Sequence, residues 1–168
     1  MSTALEPMLE LARGALANAH AAYSRFRVGA CVRAASGRLY AGCNVENVSY
    51  GLTECAETIA IGAMVTAGDR EITDVVVVTE RGPLCPPCGR CRQQLAEFAR
   101  PHARVHLFGP EGQRLTTTLG ELLPLAFGPD AFGSTGRDRV ASGADPPQAR
   151  RRRPHRRRAR GPGGRDPG

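Results

Sequence analysis

The 168-residue chain, 41% hydrophobic, has room for one domain with a real core and too little for two. Its formal charge of +7 is uneven: residues 1–136 hold 12 Arg against 13 Asp and Glu, and residues 137–168 hold 11 Arg against 3 Asp. The basicity belongs to the tail; the N-terminal stretch, with Glu6 and Glu10, is not a secretory signal, and no apolar run approaches the ~20 residues of a membrane span.

Residues 3–20 read as a helix, with Leu5, Met8, Leu9, Ala12, Leu16 and Ala19 recurring at three- and four-residue steps. Tyr23-Ser24-Arg25-Phe26 breaks that pattern. Extended runs follow at 27–34 and 38–45, joined through Ala35-Ser36-Gly37 as a hairpin. A second helix is expected over about 55–67, with Thr53 as candidate N-cap and Gly68 as its stop. The run 72–79 contains four consecutive valines, the mark of a strand buried on both faces. After Pro86-Pro87 a third helix is expected over 89–99, then a short strand at 105–108. A Gly-Pro-Glu-Gly turn follows, and a short helix at 119–123 closed by Pro124. Alternating helices and strands with a parallel component imply an α/β sandwich around a mixed sheet. From Gly133 onward the chain has almost no apolar content, so 133–168 is expected to be a disordered tail behind a domain spanning 1–132.

Six cysteines, clustered in part, favour metal binding or catalysis in a reducing cytosol over disulfides. Cys88 and Cys91 are one helical turn apart, so both sulfurs can hold one ion, and Cys55 at the start of another helix would complete a three-thiolate set. Helix N-termini favour negative charge and so favour the thiolates. Three ligands leave one tetrahedral position open for water, the pattern of a catalytic zinc. Glu57, two residues past Cys55, is placed to move protons, and a carboxyl beside thiolates should have a raised pKa. Cys85 keeps an alternative open, since Cys85-x-x-Cys88-x-x-Cys91 could close a structural site. Cys31 and Cys43 read as small core residues. His20, His102, His106 and His155 show no ligand spacing.

Cys55-Ala56-Glu57 with Pro87-Cys88-Gly89-Arg90-Cys91 matches the zinc-deaminase pattern. Tyr23-Ser24-Arg25-Phe26-Arg27-Val28-Gly29-Ala30, Gly42-Cys43-Asn44-Val45-Glu46-Asn47, Cys88-Gly89-Arg90-Cys91-Arg92-Gln93 and Leu122-Leu123-Pro124-Leu125-Ala126-Phe127 stand in the order of further family landmarks. Over about residues 5–132 the chain resembles the small homotetrameric cytidine deaminases. The resemblance implies a three-layer α/β/α sandwich around a mixed, mostly five-stranded sheet. It implies a zinc ion on Cys55, Cys88 and Cys91, with Glu57 protonating N3 and then the leaving amine. Asn44 and Glu46 would meet the ribose 3′-hydroxyl, Phe26 the pyrimidine ring, and the backbone of Ala56 the base carbonyl. Phe127 would pack over the site of a neighbouring subunit in a homotetramer. The implied reaction is hydrolytic deamination of cytidine and 2′-deoxycytidine in cytoplasmic pyrimidine salvage.

Thr58 stands where the family often carries Arg to offset the negative cluster, and Arg90 and Arg92 are the candidates to replace it. Arg27 stands where Pro is common. Two other readings remain: a deaminase of another aminated base, such as blasticidin S or a cytosine in nucleic acid, and a structural-zinc nucleic-acid-binding module. The arginine runs at 150–153 and 156–158 could make non-specific nucleic-acid contacts in either case.

Overall fold

The computed structural model describes residues 5–82, 84–128 and 131. Helix α1 (Glu6–Ala17) leads through the 18–27 segment into a hairpin of β1 (Val28–Ala34) and β2 (Leu39–Cys43). Helix α2 (Ala56–Thr66), strand β3 (Ile72–Thr79), helix α3 (Gly89–Phe98), strands β4 (Ala99–Gly109) and β5 (Gly112–Thr118) and the short α4 (Leu119–Leu122) follow. The five strands form one mixed sheet in the order β2-β1-β3-β4-β5. Only β3 and β4 are parallel, and the chain crosses between them through α3.

Strand alternation divides the core into two layers. Val76 and Val78 face α1 and pack with Met8, Leu9, Ala12, Cys31 and Phe108. Val75 and Val77 face the other way and pack with Ala60, Met64, Leu95, Val105 and Leu107. The valine run is therefore buried on both faces, as its composition predicts, and the architecture is the expected α/β/α sandwich. No helix among the described residues is long and apolar enough to cross a membrane.

Several boundaries differ from the periodicity reading. The first helix stops at Asn18, freeing His20 to bridge Val45. Thr53 does not cap α2; its hydroxyl accepts from the Asn47 N–H at 3.2 Å, and Cys55 holds the cap position. The strand expected over four residues extends to eleven in β4, with a register shift opposite Ile72 and Asp74. β5 escapes a periodicity reading because Thr116, Thr117 and Thr118 carry no apolar alternation. Thr118 and Glu121 form a capping box that starts α4. The expected tail at 133–168, with His155, lies outside the described residues.

One glycine governs how the sheet meets the site. A Cβ on Gly42 would lie 2.5 Å from the Ala60 nitrogen and 2.6 Å from the Ala56 carbonyl oxygen. Only glycine lets β2 approach the start of α2 this closely.

Candidate metal centre

Cys55 caps α2 and Cys88 caps α3, both with extended backbone, and Cys91 lies in the first turn of α3. The two helix starts converge, so the three sulfurs lie within 4.8 Å of one another, and Cys55 Sγ is 3.9 Å from Cys88 Sγ. A tetrahedral zinc with ~2.3 Å bonds separates neighbouring sulfurs by about 3.8 Å, so the donor set fits zinc in both chemistry and spacing. Among the described residues no fourth Cys, His, Asp or Glu joins the group. Cys85 is half-buried outside it, its thiol pushed up by burial and then by the charges of Glu57, Cys55 and Cys88.

The sulfurs compete for negative charge. Hydrogen bonding from Cys91, with smaller help from Cys88 and Arg90, brings Cys55 down to about 6 against its own burial and the Glu57 charge. Donation to Cys55, and then burial, pushes Cys91 up. A divalent cation relieves this competition by taking the place of the protons.

Glu57 is 4% exposed. Burial raises its carboxyl above the ordinary range, opposed by its own N–H and the Cys91 thiol. Ala56, between Cys55 and Glu57, is fully buried against β2. Thr58 does not reproduce a cation: its hydroxyl lies 2.6 Å from Gln94 Oε1 and 4.0 Å from Cys91 Sγ. Arg90 pairs with Glu54 while its charge still acts on Cys55. Arg92 donates to the carbonyls of Pro87 (2.7 Å) and Leu122 (2.9 Å), so it braces the chain.

A cavity of about 420 Å³ is lined by Tyr23, Ser24, Glu46, Tyr50 and Thr53. Val45 and Glu54 exchange two 2.9 Å backbone hydrogen bonds, which tie the 44–46 segment to the residue before Cys55. Glu46 accepts from the N–H groups of Tyr23 (2.7 Å) and Ser24 (3.2 Å) and from the Ser24 hydroxyl. The Ser24 hydroxyl, then these N–H groups, hold its carboxyl below the usual range. Asn44 Oδ1 accepts from the Val28 N–H and its Nδ2 donates to the Phe26 carbonyl, both at 2.9 Å.

The chain matches the model for the cytidine and deoxycytidylate deaminase zinc-binding region over residues 2–107. It is 41% identical over 109 residues to a cytidine deaminase of Halalkalibacterium halodurans, covering 65% of this chain and 83% of the relative. To a cytidine deaminase of Mycobacterium tuberculosis it is 44% identical over 117 residues, covering 69% and 84%. The crystal structure of a cytidine deaminase from Burkholderia pseudomallei superposes with a TM-score of 0.69 at 40% identity, covering 76% of this chain and all of that one. The chain belongs to this zinc-binding deaminase family.

Against the family pattern, Phe26 is half-buried, its backbone held by Ser24 and Asn44. Phe127 is 62% exposed, and its carbonyl accepts from Gln93 Nε2 on α3 at 2.7 Å. Sequence reasoning missed the bracing of the Tyr23–Phe26 turn. Arg25 there adopts a φ of 54°, and its carbonyl accepts from Arg81 at 2.5 Å. The partners lie 56 residues apart, beyond any local pattern. His106, read as ordinary, is not a ligand; it is buried and hydrogen-bonded to Thr116 Oγ1 at 2.9 Å.

Proposed function

We propose that the chain hydrolyses cytidine and 2′-deoxycytidine to uridine and 2′-deoxyuridine, releasing ammonia, with one zinc ion held by Cys55, Cys88 and Cys91. The observation that carries this reading is the convergence of three sulfurs from two helix starts beside one buried carboxyl. Bound there, zinc supplies the Lewis acidity that makes water a nucleophile at neutral pH. Glu57 would take one proton from the attacking water and deliver it to N3 of the ring, then carry the second, from the hydroxyl now on C4, to the departing amine.

The remaining roles follow the family resemblance. Phe26 lies against the pyrimidine, and the Ala56 backbone meets the base carbonyl. Glu46, on the cavity wall, reads the ribose 3′-hydroxyl. Asn44 keeps capacity for the sugar, since each end of its amide makes one hydrogen bond of the two available to it, and the same bonds steady Phe26. Inside a polynucleotide the 3′-oxygen is esterified to phosphate, which favours a free nucleoside over nucleic acid. A structural zinc module calls for a fourth ligand that the described residues do not supply.

Phe127, Leu125, Tyr50, Leu52 and Val48 are exposed apolar side chains that a second copy would cover, which supports a homotetramer with shared sites. Six free thiols support a cytoplasmic enzyme of pyrimidine salvage. The catalytic unit spans 1–132, so deletion of 137–168 should leave turnover intact and remove non-specific nucleic-acid contact.

The test follows ultraviolet loss of cytidine with wild type and Glu57→Gln while measuring zinc in both. Retained zinc with turnover lost in the variant supports the assignment. Equal rates overturn it.

A further inference from the structure

Among the described residues, the two arginines next to the sulfur cluster in sequence are engaged elsewhere. Three thiolates on a divalent ion leave one net negative charge, and Glu57 adds another group of the same sign. Arg90 is committed to Glu54 and the Thr53 carbonyl, and Arg92 to the Pro87 and Leu122 carbonyls. The Arg90 charge acts on Cys55 from a distance, whereas the side chain that reaches the Cys91 sulfur from outside the cluster is neutral. Thr58, on α2, stands three residues after Cys55, and Gln94, on α3, stands three after Cys91. As placed, the Thr58 hydroxyl donates to Gln94 Oε1 at 2.6 Å, and its oxygen lies 4.0 Å from the Cys91 sulfur.

A hydroxyl carries one proton and accepts through its oxygen, whereas a thiolate only accepts. The two ends of an amide have the same shape, so half a turn of Gln94 places its NH2 on the Thr58 oxygen. The hydroxyl proton is then released toward sulfur. We propose that Thr58 and Gln94 form a neutral donor relay, Gln94 N–H to Thr58 O–H to Cys91 sulfur, which withdraws charge from the metal-bound thiolate. Both are positioning residues, and the relay rests on the reading of Cys91 as a zinc ligand. Outer partners of this kind tune metal affinity by about 10–100-fold.

The experiment uses the full chain as wild type, Thr58→Val, Thr58→Ser, Gln94→Leu and the Thr58→Val/Gln94→Leu double variant. Zinc affinity is read by competition with a chromophoric chelator, and the sulfur-to-metal charge-transfer band is read after cobalt substitution. Thr58→Val and Gln94→Leu should each weaken zinc binding about tenfold and move the band to lower energy. Thr58→Ser should keep both properties, and the double variant should lose no more than either single one. An unmoved band in Thr58→Val overturns the relay, whether or not thermal stability falls, because a bare tie between α2 and α3 would not alter sulfur donation. Additive losses in the double variant overturn it too. Wild type that takes up no zinc overturns the metal reading itself, a result distinct from these.

Discussion

Glu57 and Asp74 are buried to the same degree, 4% and 3% exposed, yet their carboxyl groups are driven in opposite directions. Around Glu57 burial prevails, and the neighbours are sulfurs and its own N–H. Asp74, on the α1 side of the sheet, faces burial as the largest single influence too, but Thr73, Arg104, His106 and Arg33 together outweigh it. Arg104 Nη2 lies 2.9 Å from its Oδ1, Thr73 Oγ1 3.0 Å from its Oδ2, and His106 Nε2 3.4 Å away. Burial alone therefore does not decide protonation. A carboxyl surrounded by donors is a fixed charge that holds strands together, and one starved of cations keeps a proton within reach for transfer.

Paired substitution gives the largest effects and can break the comparison outright. Glu57→Gln should lower kcat by roughly 10²–10⁴ and leave the thermal midpoint at or above that of wild type, since it removes a charge that the fold must bury. Asp74→Asn should do the reverse: activity per folded molecule within a few-fold, and a loss of about 3 kcal/mol in urea unfolding as Arg33 and Arg104 lose their counter-charge. If Asp74→Asn instead abolished turnover in fully folded protein, the division between the two sites would be wrong.

Gly42→Ala sharpens it from the backbone side. The added Cβ meets the first turns of α2, so stability should fall by about 1–3 kcal/mol, and zinc affinity with it, because Cys55 moves relative to Cys88 and Cys91. Unchanged chelator competition would show that the helix start tolerates displacement.

The smallest effect concerns acid stability. Asp69 is lowered from its ordinary 3.8 to about 2, first by the hydrogen bond from Arg38, then by Tyr40 and Ser36. A depressed carboxylate contributes its stability above the unfolded value and loses it as pH falls through the folded one. The difference in thermal midpoint between wild type and Asp69→Asn should therefore shrink between about pH 4 and pH 2. A difference constant across that window would contradict the assignment.

The three-cysteine cluster was legible in the chain because its spacing is short: Cys88 and Cys91 one turn apart, with Glu57 two residues from Cys55. The valine run and the helix stops at Gly68 and Pro124 were legible for the same local reason. Thr58 with Gln94, Ser24 with Glu46, Arg81 with Arg25 and Asp74 with Arg104 were not, because each pair joins elements separated by 22 to 56 residues.

By itself the sequence determined which atoms are available for chemistry: soft donors at two helix starts, one nearby acid, and the family those motifs declare. Only the tertiary structure decided that Cys85 stays outside the cluster and that Thr58 meets Gln94 near the Cys91 sulfur. It also decided in which direction each buried carboxyl is driven. The reason is physical: protonation and ligation depend on which groups share a few ångströms of poorly solvated space, and chain folding brings those groups from remote strands and helices.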